Sequence, residues 1–369
     1  MTAETDKLLR VTNLSKRFTL SNGGLLRGAP VIVHAVDDVS LTLDEGETLG
    51  IVGESGCGKS TLSRSIIRLI EPTSGSIVFR GKDLTKLSNA EMRRERRHMQ
   101  IVFQDPFGSL NPRMTVKDLV EEPLRVHSDE SHAARLERIT EALQVVGMDR
   151  HVLDRHPHEF SGGQRQRISI ARAMVMDPKL LIGDEPVSAL DVSVRAQILN
   201  LLRRLQDRTG VSYVIVSHDL GAIRYICHRV AVMYLGRIVE EGPVESVLRD
   251  PQHPYTRVLI SAVPVPRVHD RRPRITLSGE VPSPINPPSG CHFHTRCPAA
   301  MPQCRTEAPE LREIAAGRRV ACHLLAYGGD TASLATTPLQ AGTAVPAQTA
   351  TRTSKEASSS MLNQEESKA

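Results

Sequence analysis

The residues best suited to chemistry form one run in the N-terminal part of the chain, Gly53-Glu54-Ser55-Gly56-Cys57-Gly58-Lys59-Ser60-Thr61. The run fits G-x-x-x-x-G-K-[S/T], the pattern of a phosphate-binding loop. Glycines permit backbone angles that a Cβ resists, so successive N–H groups can curl around phosphate oxygens. Lys59 adds a positive charge, and the Ser60 hydroxyl can reach a phosphate-bound Mg²⁺. The run therefore predicts a site for a nucleoside triphosphate and magnesium.

Such a loop needs a strand before it and a helix after it. The apolar run that ends at Val52 predicts a buried strand, and Leu62, Ile66 and Ile70 recur at helical spacing. A helix that begins at the loop directs the positive end of its dipole at the same phosphate oxygens. Both flanking elements favour phosphate binding over a chance match to the pattern.

Polar residues that could complete the site follow three predicted buried strands. These strands and the residues after them are Ile101–Phe103 with Gln104, Leu180–Gly183 with Asp184 and Glu185, and Tyr213–Val216 with His218. The carboxyl ends of parallel strands form the ligand-binding edge of an open α/β sheet. Asp184 can hold Mg²⁺, Glu185 can polarise an attacking water, and Gln104 can orient water or complete the Mg²⁺ shell. His218 can contact a terminal phosphate, so the set predicts a hydrolysis site.

Composition excludes some classes of protein. The chain has 369 residues, of which 40% are hydrophobic and 24% charged, as in ordinary globular domains. Its net charge of +5 would suit nucleic acid, but only 3% of residues are aromatic and none is Trp, so bases have little to stack on. The apolar stretches are shorter than a membrane span, and the first residues do not resemble a signal peptide. We therefore expect a cytosolic chain that binds no nucleic acid.

The order of predicted elements indicates an α/β fold with a P-loop (RecA-like) core. Strands alternate with helices through most of the chain, which predicts a mainly parallel sheet. Ahead of the loop, Leu9–Thr12 and two strands between Val31 and Leu43 predict an antiparallel β region. Residues 115–154 have a helical pattern and predict an inserted helical subdomain. A small C-terminal region that contains four cysteines follows the core.

The order and spacing of these motifs resemble those of an ABC-transporter ATPase subunit from about residue 8 to 262. The matching motifs are the phosphate loop, Gln104, Ser161-Gly162-Gly163-Gln164, Leu180–Glu185, Ser188–Asp191 and His218. Phe160 replaces the Leu that usually precedes the Ser-Gly-Gly-Gln signature, and Gly183 is a less usual residue before the acidic pair. Residues 104–112, 184–191 and 253–256 resemble the dipeptide/oligopeptide importer branch, and the Phe-Ser-Gly-Gly-Gln form most resembles its second ATPase subunit.

The resemblance implies roles for individual residues. Phe18 would stack on the adenine of ATP, and Lys59 and Ser60 would hold the phosphates and Mg²⁺. Glu185 would be the general base, and His218 would contact the γ-phosphate.

The signature predicts a second anion site. Ser161 begins a predicted helix, so its hydroxyl, the N–H groups of Gly162 and Gly163, and the helix dipole can face an anion. In the resembled family this site caps ATP bound to an opposing subunit. The resemblance thus implies a second ATPase subunit, identical or homologous, and two transmembrane permease subunits. It also implies an extracytoplasmic substrate-binding protein and a peripheral location on the cytoplasmic face of the membrane.

Four cysteines with the spacing C-x5-C-x6-C-x17-C cluster towards the C-terminus: Cys291, Cys297, Cys304 and Cys322. Disulfides are not expected in a cytosolic chain, whereas four thiolates could bind zinc or a [4Fe–4S] cluster. The C-x2-C pairs of common zinc sites are absent, although three histidines could substitute as ligands: His292, His294 and His323. The resemblance favours [4Fe–4S]. Zn²⁺ is the alternative metal, and packed, reduced cysteines are the metal-free alternative.

We expect the chain to divide into an ATPase core, two smaller regions and a tail. Residues 8–104 and 165–262 form the ABC ATPase core, and residues 105–164 form the helical subdomain with the signature. Residues 263–325 begin with a proline-rich stretch and form the peptide-importer type of C-terminal region. Residues 326–369 have few large apolar side chains, so we expect a disordered tail.

Three other functions compete with peptide import. One is an importer ATPase for nickel or another small solute. Another is a soluble ABC ATPase that acts on DNA or ribosomes, although this chain has one cassette and no long coiled coil. A third is a module that binds ATP without turnover. Four intact residues argue against it: Lys59, Asp184, Glu185 and His218.

Overall fold

The computed structural model describes residues 7–20, 30–262, 277 and 279–326, and its elements are numbered in chain order. The strands are β1 Leu9–Leu20, β2 Val31–Leu43, β3 Thr48–Val52, β4 Ser74–Phe79, β5 Lys82–Asp83, β6 Met99–Val102, β7 Leu180–Asp184, β8 Ser212–Val216, β9 Arg229–Tyr234, β10 Arg237–Pro243, β11 Arg312–Ala315 and β12 Arg318–Val320. The α-helices are α1 Lys59–Ile66, α2 Asn89–Glu95, α3 Pro106–Ser109, α4 Val116–His127, α5 His132–Val145, α6 Gly162–Met174, α7 Val192–Thr209, α8 Leu220–Ile226, α9 Val244–Arg249, α10 Pro254–Ser261 and α11 His323–Ala326. Short 3₁₀ helices lie at Leu84–Lys86, Arg96–His98, Arg150–Val152, Pro157–Glu159 and Pro302–Arg305.

An eight-stranded sheet with the order β11-β12-β10-β9-β3-β8-β7-β6 forms the centre of the fold. Its strands β9, β3, β8, β7 and β6 run parallel, and β10, β12 and β11 add to it antiparallel. Every residue of β3, β7 and β8 is buried, which is why these strands are nearly continuous apolar runs in the sequence. The predicted α/β fold with a mainly parallel sheet is confirmed.

Alternate residues of the parallel strands pack into two separate cores. Leu180 and Ile182 of β7 pack in the core that contains Leu62 of α1. Leu181, between them, packs in the other core, with Ile198 of α7. Successive side chains of a strand point to opposite faces, so each core covers one face of the sheet.

A second sheet, with the order β2-β1-β4-β5, is antiparallel throughout. The prediction of two strands between Val31 and Leu43 is wrong, because β2 is one strand across this range. Its pairing with β1 shifts register near Asp38, which has a φ of 56°. A bulge of this kind places an extra residue in one strand without ending the strand, so polar residues at its centre do not mark a break.

The stretch from β6 to β7 contains helices α3 to α6 and lies wholly within the described residues. Thr115 caps α4: its hydroxyl accepts the N–H of Asp118, and the Asp118 carboxylate accepts the N–H of Thr115. Hydrogen bonding from Thr115 lowers the pKa of Asp118. Five apolar residues of this stretch are buried and Leu136 is partly buried; the five are Leu119, Leu124, Ile139, Leu143 and Val146.

The C-terminal region extends the central sheet. Strand β12 pairs with β10, with Glu240 opposite Val320. The predicted tail at 326–369 lies outside the described residues, apart from Ala326 at the end of α11.

Candidate functional site

The phosphate loop joins the end of β3 to the start of α1, as the sequence predicts. Gly58 has a φ of 105°, and a Cβ at this position would lie 2.0 Å from the carbonyl oxygen of Ala35. Only glycine fits there, because a side chain would meet both backbone strain and the β2 backbone. The loop therefore depends on β2 for its shape as well as on its own glycines.

The Lys59 ammonium lies inside the loop. Its Nζ donates to the carbonyl oxygens of Gly53 at 2.9 Å and Glu54 at 2.8 Å, and the residue is 5% exposed. The loop thus holds a buried positive charge at the position where the pattern predicts a phosphate. This charge can exchange its carbonyl partners for phosphate oxygens.

Ser60 and Asp184 come together across a sequence separation of 124 residues. The Ser60 hydroxyl donates to Asp184 Oδ1 at 2.7 Å, and Asp184 is almost completely buried. Arg64 Nη2 donates to the other carboxylate oxygen at 3.0 Å. Oxygen donors of this kind suit Mg²⁺. The sequence did not single out Arg64, since only its contact with Asp184 distinguishes it from other helical arginines.

Side chains that follow three different strands contact each other at the Glu185 carboxylate. Gln104 Nε2 donates to Glu185 Oε2 at 3.2 Å, and His218 Nδ1 lies 3.0 Å from the same oxygen. Glu185 has a φ of 52°, and its N–H donates to the carbonyl oxygen of Val216 at 3.0 Å. The structure thus brings the three predicted catalytic residues together. Gln104 contacts Glu185 and not Ser60 or Asp184, which favours its water-orienting role over its magnesium role.

An open cleft of about 560 Å³ connects the phosphate loop with Glu185. Its lining consists of Val33, Ala35, Ser55, Gly56, Gly58, Lys59, Ser60, Thr61, Gln104, Glu185, His218 and Pro284. The loop residues Gly53, Glu54 and Cys57 do not line it. Cys57 is buried beneath the loop, and burial raises the pKa of its thiol. Cys57 therefore serves as a small side chain packed beneath the loop.

Besides these loop residues, Phe18, Asp184 and the signature residues 161–164 belong to the predicted site and lie outside this lining. Phe18 is half-buried on β1 and pairs with Val33, a residue of the cleft wall. Ser161 caps α6, because its hydroxyl accepts the N–H of Gln164 at 3.4 Å and its own N–H donates to Gln164 Oε1 at 3.0 Å. A Cβ at Gly163 would lie 2.4 Å from Val194 Cγ1, so a larger residue there would displace the Val194 side chain of α7.

The four C-terminal cysteines line one cavity together with Phe293. Burial raises the pKa of Cys291 to about 11 and of Cys297 to about 12, and raises that of Cys322. Among the described residues, no group of three or more His, Cys, Asp or Glu side chains is arranged to hold a metal ion. The cavity has a volume of about 10 Å³, room for roughly one water-sized sphere. The predicted [4Fe–4S] centre is therefore not supported by this arrangement, because a four-iron cluster is larger than the space between the thiols.

Comparison with known proteins identifies the family. Residues 36–188 match the family model described as ABC transporter, and residues 239–304 match the one described as oligopeptide/dipeptide transporter, C-terminal region. The chain is 53% identical over 321 residues to "Probable peptide ABC transporter ATP-binding protein y4tS" of Sinorhizobium fredii. The alignment covers 87% of this chain and 91% of that protein. The chain belongs to the family of ABC transporter ATP-binding proteins. It is also 49% identical over 325 residues to oligopeptide transport ATP-binding protein AppF of Bacillus subtilis, which covers 87% of this chain and 98% of that protein.

Solved ABC cassettes have the same fold. One is the dimeric post-hydrolysis structure of the ATP-binding cassette MJ0796 bound to ADP and Pi, which is 30% identical in sequence and has a TM-score of 0.57. The superposition covers 64% of this chain and 98% of that chain. The cbiO1 structure from Clostridium perfringens is 30% identical, with a TM-score of 0.57, and covers 66% of this chain and 92% of that one. This chain is thus an ABC-type ATPase. Among its described helices, none is long and apolar enough to cross a membrane.

Proposed function

We propose that this ABC ATPase is the ATP-hydrolysing subunit of an importer for dipeptides or oligopeptides. The observation that carries the proposal is the match of residues 239–304 to the C-terminal region of oligopeptide/dipeptide transporters, in the same chain as the nucleotide cleft. Relatives named for peptide or oligopeptide transport align with most of the chain. ATP hydrolysis in the cleft supplies the free energy for uptake.

The proposed reaction is attack of water on the γ-phosphorus of ATP, with cleavage of the bond to the ADP oxygen. Glu185 is the general base that takes the proton of the water, because Gln104 and His218 hold its carboxylate at the edge of the cleft. His218 also contacts the γ-phosphate, and Lys59 binds the phosphates. Ser60 and Asp184 would hold Mg²⁺, which neutralises phosphate charge when bound, and Gln104 would orient the attacking water.

A second ATPase subunit completes each site in this proposal. Ser161, at the exposed N-terminus of α6, does not line its own chain's cleft, so its anion site is available to ATP on another subunit. The cassette MJ0796 has been solved as a dimer with ADP and Pi. Phe18, beside the cleft wall at Val33, stacks on adenine.

The remaining partners follow from membership of a transporter family. We propose that residues 105–164 contact two transmembrane permease subunits at the cytoplasmic face of the membrane. An extracytoplasmic binding protein delivers the peptide. In this proposal the ATPase core consists of residues 8–104 and 165–262, and the C-terminal region consists of residues 263–325.

Purification of the full chain from its own cells tests this function. We expect two multi-span membrane proteins and a second ATPase subunit to co-purify, and the complex in proteoliposomes to take up peptide only with ATP. Uptake of nickel in place of peptide would support the small-solute importer. ATPase activity that responds to DNA or ribosomes, without a membrane partner, would contradict import.

The four C-terminal cysteines support a separate proposal, that they are packed, reduced thiols and not ligands of a [4Fe–4S] cluster. The cavity that all four thiols line has room for roughly one water-sized sphere, which is less than a four-iron cluster needs. Burial raises the pKa of Cys291 to about 11 and that of Cys297 to about 12, which favours the thiol over the thiolate that a metal binds. We expect anaerobically purified protein to contain neither iron nor sulfide and to show no absorbance at roughly 400 nm. Iron and sulfide in that protein would contradict this proposal in favour of the cluster, and zinc without iron would contradict it in favour of Zn²⁺.

A further inference from the structure

Glu54, the second residue of the phosphate loop, is bonded through all three of its polar groups. Its carbonyl oxygen accepts from Lys59 Nζ at 2.8 Å, and its N–H donates to the hydroxyl of Tyr255 at 2.8 Å. Its carboxylate accepts from Arg296 Nη1 at 3.1 and 3.4 Å. Tyr255 and Arg296 lie 201 and 242 positions from Glu54 in the sequence. The C-terminal part of the chain therefore contacts the loop at the residue that holds the phosphate-binding lysine.

The ion pair between Arg296 and Glu54 is well placed to restrain the loop. The Arg296 side chain is 9% exposed and that of Glu54 is 31% exposed. An ion pair that is partly removed from water and hydrogen-bonded is stronger than an exposed one. Burial opposes a charged guanidinium, but the interactions of Arg296 with Tyr234 and with Glu54 together raise its pKa.

The Tyr255 hydroxyl is held by a rigid group of rings. The ring centroids of Tyr255 and Tyr234 are 4.7 Å apart, and that of Phe293 lies 5.5 Å from Tyr255 and 5.2 Å from Tyr234. All three side chains are fully buried, and rings at such distances attract each other. Phe293 and Arg296 both lie between Cys291 and Cys297. The cysteine-containing segment thus contacts the loop directly through Arg296 and indirectly through the rings.

We propose that Arg296 and Tyr255 are positioning residues that keep the phosphate loop in its nucleotide-binding conformation, so that ATP affinity depends on the C-terminal segment. Neither residue lines the cleft, and Tyr255 is fully buried. Their effect passes through Glu54 to Lys59. A loop that is ordered before ATP arrives loses less conformational entropy on binding, which strengthens binding without changing the chemical step.

The test is the affinity of the full chain for MgATP, measured by calorimetry, beside the kcat of hydrolysis. We expect Arg296→Gln to raise Kd about tenfold, equivalent to one charge-assisted hydrogen bond, and to leave kcat at saturating ATP within about twofold. Arg296→Lys, which keeps the charge, should recover most of the affinity. Tyr255→Phe, which keeps the ring and removes the hydroxyl, should raise Kd as well.

Two controls separate positioning from general damage. Arg312→Gln removes an exposed arginine of the same C-terminal region, paired with Glu310, and should leave Kd unchanged. Adding Glu54→Gln to Arg296→Gln should raise Kd no further than either change alone, because both remove the same contact. The proposal fails if Arg296→Gln lowers only the melting temperature, if it lowers kcat with an unchanged Kd, or if the two changes add in full.

Discussion

Replacing Glu185 with Gln is expected to lower the kcat of ATP hydrolysis by roughly 10²–10⁴-fold, the range of a lost general base. The amide keeps the size of the side chain and can still contact Gln104 and His218, but it cannot take a proton from water. Binding of MgATP should change little, because Lys59 and the loop glycines are untouched. The measurement is single-turnover hydrolysis by the assembled complex, with MgATP affinity recorded on the same protein.

Glu45→Gln is the matched control for this change. Glu45 is an exposed carboxylate in the turn between β2 and β3, at the opposite end of β3 from the phosphate loop, so kcat should remain that of the wild type. A Glu185→Gln protein that hydrolyses ATP at a rate comparable to wild type would place the general base at another residue.

Replacing Arg318 with Leu is expected to destabilise the protein by about 3 kcal/mol, the lower end for breaking a buried ion pair. Arg318 Nη2 donates to Glu240 Oε1 at 3.1 Å, and Glu240 is fully buried. The carboxylate keeps two backbone donors, the N–H groups of Gln252 and His253, so its charge is not left entirely unpaired. The measurement is the change in the urea midpoint of unfolding of the full chain.

Two further variants show whether the lost ion pair with Glu240 is the cause of the destabilisation. Arg312→Leu removes an exposed arginine from the neighbouring strand β11 and should leave the midpoint nearly unchanged. Glu240→Gln in the Arg318→Leu background should recover part of the loss, since it removes the buried charge. Equal midpoints for Arg318→Leu and Arg312→Leu would show that the buried pair contributes nothing to stability.

The phosphate loop and the strand-end residues were predictable from the sequence for different reasons. The loop's determinants are contiguous: glycines, a lysine and a serine at set spacing between a strand and a helix. Gln104, Glu185 and His218 are far apart in the chain, but parallel strands end at one edge of a sheet. The correct prediction of three buried strands was therefore enough to predict that these side chains lie close together.

The residues that support the site were not predictable in this way. Arg64 looks like any helical arginine until Asp184 is seen beside it. Arg296 lies in a loop near two cysteines, where the sequence drew attention to the thiols and not to the guanidinium. The continuous strand β2 was also missed, because a bulge at Asp38 has no hydrophobic pattern of its own.

The sequence by itself determined the parallel core, the phosphate loop and the chemical groups at the strand ends, because short-range spacing and burial patterns encode them. Only the tertiary structure decided which other groups hold these residues in place. The Glu54 contacts with Tyr255 and Arg296 join positions more than 200 apart. The same C-terminal region joins the central sheet through the pairing of β12 with β10. These contacts join residues that are far apart in the sequence, so no local sequence pattern predicts them.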